Sequence, residues 1–373
     1  MIIFGLQNYS FIMKTHKRLC FFRLAVLLGG IALFLCSVTT PAYSGDDKRA
    51  FVGVGIGFYN VENLFDTIND PRIRDDDFTP QGSNRWNTER YFEKLDNLAE
   101  VLYKLGQEVN PDGLAVIGLA EVENETVLED LAAHEKIRDR NYQVVFERGP
   151  DRRGMHVAFF YNPDYFEYIS HNNYPTVVPD RPNFITRDQL LLTGNLLGER
   201  MHFIVAHWPS RVGGEARSRP GRVAKADIAR NVIDSIQEAE PGAKVFMMGD
   251  FNDNPTDISI RKHLRSQGNK EKVSDDELYN PFESFYRRGV GTNAWRDAWS
   301  LFDQILFTPS LLGDDYSDFK YLRAEVFNRP FLRQPSGRFQ GYPFRTFGGG
   351  VYLGGYSDHF PVCVYLIREL KTE

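Results

Sequence analysis

Sulfur is scarce in this chain. Of its 373 residues three are cysteine, and two of these, Cys20 and Cys36, fall within residues 1–44. If that segment is removed, only Cys363 is left, so no intramolecular disulfide can form. The lack of Cys ligands and of paired His spacings also argues against a zinc site. Membrane-length apolar runs are missing as well. The run Leu24–Cys36 falls short of the roughly 20 residues a spanning helix needs. It follows Lys14, Lys17, Arg18 and Arg23 and precedes Pro41-Ala42-Tyr43-Ser44-Gly45. A charged start, an apolar stretch and an Ala-x-Ser site read as a signal peptide over 1–44, cleaved before Gly45. An uncleaved anchor is the alternative. The expectation is an exported protein, periplasmic or secreted, with no stable membrane span after cleavage. Positive charge is scarce too. The segment 1–44 holds four basic and no acidic residues, so removing it leaves 40 Lys+Arg against 50 Asp+Glu, a net charge of −10. That argues against a protein held to nucleic acid by bulk charge, though not against an enzyme with a local basic groove. Repeats, low-complexity tracts and Gly/Ser/Pro linkers are absent. Nothing divides residues 45–373, which read as one domain.

What is present is material for a core: 42 % hydrophobic and 14 % aromatic residues. Val52, Val54, Ile56 and Phe58 alternate with small residues at a period of two, which predicts a strand. Leu114–Leu119, Val157–Tyr161, Phe203–Ala206, Val245–Met248, Gln304–Phe307 and Phe360–Tyr365 are short apolar runs bounded by turn or polar residues, and also read as strands. Phe92, Leu95, Leu98, Val101, Leu102 and Leu105 recur at helical spacing, with Gly106 where a C-terminal cap belongs. Thr126–Ala133 and Arg222–Ile236 are weaker helices. Arg211–Lys225 and Pro309–Tyr356, rich in Arg, Gly and aromatics, read as ligand-facing surface insertions.

The chemistry lies where polar residues follow strands. Asn60-Val61-Glu62-Asn63 ends the first strand and Glu121 follows the second. His207-Trp208-Pro209-Ser210 and Asp250-Phe251-Asn252-Asp253-Asn254 follow two more. Asp303 precedes Gln304–Phe307, and Ser357-Asp358-His359 precedes the last strand. Such groups can converge at one edge of a sheet, and carboxylate and amide oxygens suit Mg²⁺ or Mn²⁺. Each piece alone has a plainer explanation. Asp250–Pro255 is a good turn, Glu121 a good helix N-terminal acid, and His207 an ordinary half-buried ring. Pro255 and Arg261 stand where a helix–loop–helix calcium site needs Gly and Glu, which excludes that motif.

In combination and in order, Phe58-Tyr59-Asn60-Val61-Glu62, Gly118-Leu119-Ala120-Glu121-Val122, Gly249-Asp250-Phe251-Asn252, Asp303-Gln304-Ile305-Leu306 and Ser357-Asp358-His359-Phe360-Pro361 resemble the endonuclease/exonuclease/phosphatase superfamily of DNase I-like enzymes. The resemblance covers about Phe51 to Val364. It implies a four-layer α/β/β/α sandwich of two mixed sheets packed face to face, with the active site at one edge. It implies Glu121 as principal metal ligand, with Asn60, Glu62 and Asp358 near the metal or its waters. Asp250 and Asn252 are implied to position the attacking water and the phosphate, His359 to be the catalytic imidazole oriented by Asp303, and His207 to act near the leaving oxygen. Either His359 or Asp250 is the base. Arg211, Arg217, Arg219, Arg222, Arg338 and Arg345 are candidates for holding phosphate, since Arg pairs bidentately with it.

The expected activity is metal-assisted hydrolysis of phosphoesters with Mg²⁺, or Mn²⁺ or Ca²⁺ in its place. The first expectation is a nuclease or phosphodiesterase. The alternative is a phosphatase, or a phospholipase-C-like enzyme acting on inositol phosphates, sphingomyelin or another small ester. A non-catalytic binding module of the same fold is disfavoured, because the carboxylate and imidazole set is intact.

Overall fold

The computed structural model of the protein describes residues 49–176, 178 and 184–370. The expected signal peptide, 1–44, lies outside the described residues. In chain order the strands are β1 (Phe51–Leu64), β2 (Val116–Val122), β3 (Gln143–Phe146), β4 (His156–Tyr161), β5 (Phe166–Tyr174), β6 (Gln189–Leu196), β7 (Glu199–His207), β8 (Lys244–Asp250), β9 (Ser266–Gln267), β10 (Leu278–Tyr279), β11 (Asn293–Trp295), β12 (Ala298–Ser300), β13 (Asp303–Phe307), β14 (Lys320–Val326), β15 (Phe347–Gly348), β16 (Val351–Tyr352) and β17 (Val362–Glu369). The α-helices are α1 (Thr88–Lys104), α2 (Glu125–Ala132), α3 (Glu215–Ala239) and α4 (Phe282–Arg287). None of the described helices is long and apolar enough to cross a membrane.

Two mixed sheets carry the architecture. One has the order β14-β17-β1-β2-β4-β3, the other β5-β6-β7-β8-β13-β10-β9. In the first, β1 is parallel to β2 and antiparallel to β17; in the second, β8 is parallel to β7 and antiparallel to β13. The period-two alternation of each strand sorts its residues between layers. Val54, Ile56 and Phe58 of β1 join Val364, Leu366, Phe203, Phe246, Met248 and Ile305 in a core between the sheets. Tyr59 and Val61 face the other way, onto Leu95, Leu98 and Leu102 of α1. Ile204, Val245 and Met247 of the second sheet meet Ala226, Ala229 and Ile233 of α3. Helices thus cover both outer faces, giving the α/β/β/α sandwich. Fully burying an inner side chain such as Phe203 contributes about 1.5–3 kcal/mol. Gly118 lets the sheets approach each other closely: a Cβ there would sit 2.7 Å from Met248 Sδ.

Caps explain two helix starts. The Asn87 side chain accepts from Arg90 N–H, and Asn124 accepts from Val127 N–H. Gly106 follows the last turn of α1 at φ 81°, as its position predicts. Other expectations need correction. Phe92 is 55 % exposed, so it lies off the buried stripe of α1. The expected insertion Arg211–Lys225 is largely helix: α3 begins at Glu215 and runs through Pro220. Pro220 and Gly221 weaken the helical pattern there, yet Ser218 Oγ bonds the Gly214 carbonyl and steadies the first turn. Pro309–Tyr356 is not one loop either. It contributes the edge strand β14, paired with β17, and the β15–β16 hairpin.

Candidate active site

Strand register assembles the site before any side chain is considered. β8 lies between β7 and β13, and pairing sets His207 opposite Asp250 and Asp250 opposite Asp303. An imidazole and two carboxylates therefore line up at one sheet end. Gly249 makes that alignment possible, because a Cβ there would lie 2.1 Å from the Ala206 carbonyl oxygen on β7. The other sheet brings Asn60 and Glu62 from β1, Glu121 from β2, and Ser357-Asp358-His359 from the turn before β17. Its ladder shifts register between Asn60 and Leu64 and between Ala120 and Val122. Glu62, Asn63, Glu121 and Asn252 take left-handed backbone at φ 49°, 55°, 66° and 50°. Such bulges and non-glycine left-handed residues are costly, and they re-aim side chains toward a shared point.

Asn60 links the two sheet ends. Its Nδ2 donates to Asp250 Oδ2 at 3.0 Å and to Glu121 Oε1 at 3.3 Å, and its Oδ1 accepts from Glu62 N–H at 3.0 Å. Glu121 Oε2 accepts from Asn63 N–H at 3.0 Å. Asp250 Oδ1 accepts from Asn252 N–H at 3.0 Å, and the Asn252 amide donates to the Trp208 carbonyl at 3.1 Å. Burial pushes the Asp250 carboxyl up to about 7. The His359 and Asn252 contacts oppose this rise, and Asp303 and Glu121 add to it.

His359 is held from both sides. Its Nδ1 lies 2.7 Å from Asp303 Oδ2, and its Nε2 lies 3.8 Å from both Asp250 Oδ2 and Asp358 Oδ1. Ser357 Oγ donates to the Asn60 carbonyl at 2.7 Å and accepts from His359 N–H at 3.1 Å, tying the turn to β1. Burial by itself lowers the imidazole pKa, but Asp303, Asp250 and Asp358 together hold it well above the ordinary value.

His207 behaves oppositely. Burial, then the Arg187 guanidinium beside it, hold its pKa well below the ordinary range. Arg187 Nη2 lies 2.9 Å from His207 Nε2, which itself is 3.5 Å from Asp250 Oδ2. With Arg187 as donor, His207 Nε2 is the acceptor of this contact. Arg187 was not picked out in the sequence. It is buried, paired with Asp151 at 3.5 Å, and its carbonyl accepts from the buried Lys225 ammonium. Its one signal is Arg187-Asp188 before the apolar Leu190–Leu192, a polar pair at a strand start rather than a strand end.

Asn60 and Glu62, expected near the metal or its waters, are both hydrogen-bonded within the protein. The amide nitrogen of Asn60, rather than its oxygen, faces the two carboxylates. Glu62 Oε2 accepts from Thr346 N–H at 2.6 Å. Burial, and then Asp358, push the Glu62 carboxyl up to about 7, with Lys94 opposing. Lys94, which the sequence reading passed over, reaches the site from α1 and donates to Thr346 Oγ1 at 2.6 Å and the Tyr356 carbonyl at 2.7 Å. Asp358 Oδ2 lies 3.3 Å from Arg345 Nη2. The donor set suits a hard divalent cation. Glu121 and Asp250 converge on a single amide nitrogen, and Asp250, Asp303 and His359 offer ligand atoms all within 4.8 Å of one another. Of these, Asp303 and His359 Nδ1 are already paired with each other.

The six arginines separate. Arg345 reaches the site through Asp358. Arg211 lies beside it, donating to the Asn252 carbonyl at 2.7 Å and pairing with Asp253 and Asp257. Arg222 is fully buried with its Nε 2.8 Å from Asp253 Oδ1, so it is a strut and not a phosphate ligand. Arg219 is paired with Glu215 on the exposed first turn of α3. Arg217 and Arg338 are exposed.

A family model described as Endonuclease/Exonuclease/phosphatase family matches residues 55–368. Among solved structures, an endonuclease/exonuclease/phosphatase family protein from Bacteroides thetaiotaomicron aligns with a TM-score of 0.51 at 17 % identity, covering 87 % of this chain and 98 % of that one. A mannosyl-6-phosphatase from Bacteroides thetaiotaomicron VPI-5482 aligns at 0.50 and 18 %, covering 84 % and 99 %. The human Nocturnin catalytic domain with bound sulfate aligns at 0.50 and 14 %, covering 86 % and 98 %. No curated protein matches the sequence. At these identities the likeness is one of fold.

Proposed function

The chain belongs to the endonuclease/exonuclease/phosphatase family, and from that premise we propose that it is an exported, divalent-cation-dependent phosphodiesterase. One observation carries the reading: the His359–Asp303 pair and Asp250 face the same space as Glu121, joined across the two sheets by Asn60. Phosphoryl transfer asks a protein mainly for positioning and charge stabilisation.

Glu121 would hold the cation, which when bound withdraws charge from the phosphoryl and leaving oxygens. Mg²⁺ fits this donor set, with Mn²⁺ or Ca²⁺ as substitutes. Asp250, fixed by Asn252 N–H at one oxygen and Asn60 at the other, is aimed to take a proton from the attacking water. His359 presents Nε2 to the same space. Its imidazolium donates to a phosphoryl oxygen, and Asp303 keeps the ring from turning. Arg187 keeps His207 neutral and adds positive charge behind Asp250. Asn252, by bridging the Trp208 carbonyl and Asp250, keeps the β7 and β8 ends in step.

Hydrolysis of bis-p-nitrophenyl phosphate tests this. Turnover with Mg²⁺ should vanish in EDTA, and Glu121→Ala should lower it by about 10²-fold or more. Turnover indifferent to EDTA and to that substitution would refute the reading. Preference for the monoester p-nitrophenyl phosphate would move the assignment to the phosphatase alternative. Export is tested by N-terminal sequencing of secreted or periplasmic protein, which should begin at Gly45.

A further inference from the structure

A polar stripe along α1 grips the insertion that leads into the Ser357-Asp358-His359 turn. Glu93 accepts from Tyr352 Oη at 2.8 Å, and the Arg90 guanidinium lies 4.3 Å from the centre of the Tyr352 ring. Lys94 donates to Thr346 Oγ1 and to the Tyr356 carbonyl. Further along, Asn97 Nδ2 donates to the Gly354 and Gly355 carbonyls at 3.2 and 3.3 Å, and Glu100 accepts from Tyr356 Oη at 3.3 Å. Residues 90, 93, 94, 97 and 100 recur at helical spacing and so share one face. Within the gripped segment the backbone on both sides of Arg345 is pinned. The Phe344 carbonyl accepts from Tyr356 N–H at 2.6 Å and from Ser357 N–H at 3.2 Å, and Phe344 N–H donates to the Leu332 carbonyl at 2.8 Å. Thr346 N–H donates to Glu62 Oε2 at 2.6 Å, and the Thr346 carbonyl accepts from Leu353 N–H at 2.9 Å. Gly355 permits the close approach: a Cβ there would lie 2.2 Å from the Phe344 carbonyl oxygen and 2.4 Å from that of Arg345.

The side chain presented from this fixed point keeps most of its donors. Arg345 Nη2 lies 3.3 Å from Asp358 Oδ2, its one side-chain hydrogen bond among the described residues, and the side chain is 32 % exposed. The other oxygen of the same carboxylate, Asp358 Oδ1, lies 3.8 Å from His359 Nε2. One carboxylate thus sets the guanidinium beside the imidazole nitrogen that faces the reacting space. No acid within the insertion competes for it, since residues 328–356 hold four Arg and no Asp or Glu. The other arginines near the site are occupied. Arg187 is held by Asp151 and His207, Arg211 by Asp253 and Asp257, and Arg222 by Asp253.

We infer that Arg345 is a catalytic residue, whose guanidinium contacts the phosphoryl group during its transfer and stabilises the charge that gathers there. The inference rests on the phosphodiesterase reading and adds a cation which that reading does not use. As the water oxygen bonds to phosphorus, its proton passes to Asp250. The bond to the leaving oxygen breaks, and that oxygen departs with the bonding pair. Negative charge meanwhile builds on the non-bridging and leaving oxygens. A planar fork with free N–H groups, fixed before the reaction, meets that charge without reorganising. A residue that only held the substrate would bind it equally before and during the step, and would act on KM alone.

The test is hydrolysis of bis-p-nitrophenyl phosphate by wild type, Arg345→Ala, Arg345→Lys and Arg333→Ala, with Mn²⁺ affinity read by electron paramagnetic resonance. Arg345→Ala should lose about 10²–10³-fold in kcat with KM nearly unchanged. Arg345→Lys keeps the charge without the fork and should recover only part of that loss. Millimolar guanidinium chloride should raise kcat in Arg345→Ala and leave wild type unaltered. Arg333→Ala removes the same charge from the same insertion and should keep wild-type kcat. Mn²⁺ affinity should be the same in all four. A kcat near wild type in Arg345→Ala, a loss confined to KM, a lost Mn²⁺ affinity, no response to guanidinium, or an equal loss in Arg333→Ala would overturn the proposal and leave the phosphodiesterase reading standing. If wild type hydrolyses no diester, that reading falls, and orthovanadate, which adopts the five-coordinate geometry of the step, decides Arg345. A rise in Tm with vanadate that Arg345→Ala loses and Arg333→Ala keeps supports the role; equal rises, or none, overturn it.

Discussion

Asp303 and His359 divide one task at the residue scale. Asp303 orients and charges the ring, and the ring faces the phosphate. Asp303→Asn should therefore cut kcat by about 10²–10³-fold with little change in KM. Losing a carboxylate that raises the imidazole pKa should also move the alkaline limb of the pH–rate profile to lower pH. An effect confined to KM, with the limb unmoved, would contradict this. A second titratable group bears on stability alone. Burial, and then the Arg148 charge, lower the His156 pKa to about 4, while its Nδ1 accepts from Gly149 N–H at 3.2 Å. The unfolded chain takes up this proton near pH 6.5 and the folded one does not, so stability is lost as pH falls from about 6.5 through 4. In urea unfolding, wild type should lose about 2 kcal/mol over that range beyond what His156→Asn loses. Parallel losses in the two proteins would remove His156 as the cause.

At the scale of elements, the site depends on how closely β7 and β8 run. The Cβ introduced by Gly249→Ala meets the Ala206 carbonyl oxygen at 2.1 Å, and backbone on both sides cannot yield cheaply. The variant should lose about 3 kcal/mol or more of stability, and its activity should fall even where it remains folded, because Asp250 is the next residue. Denaturant unfolding alongside turnover measures both; wild-type values for either would show that the strands have slack. The same scale explains what the sequence reading missed. β5 is a largely polar strand with a single buried residue, and β6 is a Leu run, so neither carries a period of two. The start of α3 was hidden by Pro220 and Gly221. β14 is an edge strand whose residues gain their meaning only from pairing with β17.

For the whole molecule, the inter-sheet core fixes the distance between the two halves of the site. Phe203 and Phe246 stack with centroids 5.0 Å apart inside it. Phe246→Ala should cost about 3–5 kcal/mol, read from urea unfolding. Turnover should fall as well, since Asn60 and Glu121 ride on one sheet and Asp250 and Asp303 on the other. Full activity in the folded fraction would mean that the sheets keep their spacing without that packing.

The sequence by itself determined the alternating strands of the core, the helix that ends at Gly106, and most of the polar groups at the site. Glu121, Asp250, Asn252, Asp303, Asp358 and His359 stood out because each adjoins a strand and because their order along the chain resembles that of the family. Tertiary structure alone decided who partners whom. The lowered His207 pKa follows from burial and from Arg187, 20 positions away; Arg222 is held by Asp253, and Glu62 by the Thr346 N–H. Those outcomes depend on charge and burial acting through space, and no local pattern records which distant group will stand within a few ångströms.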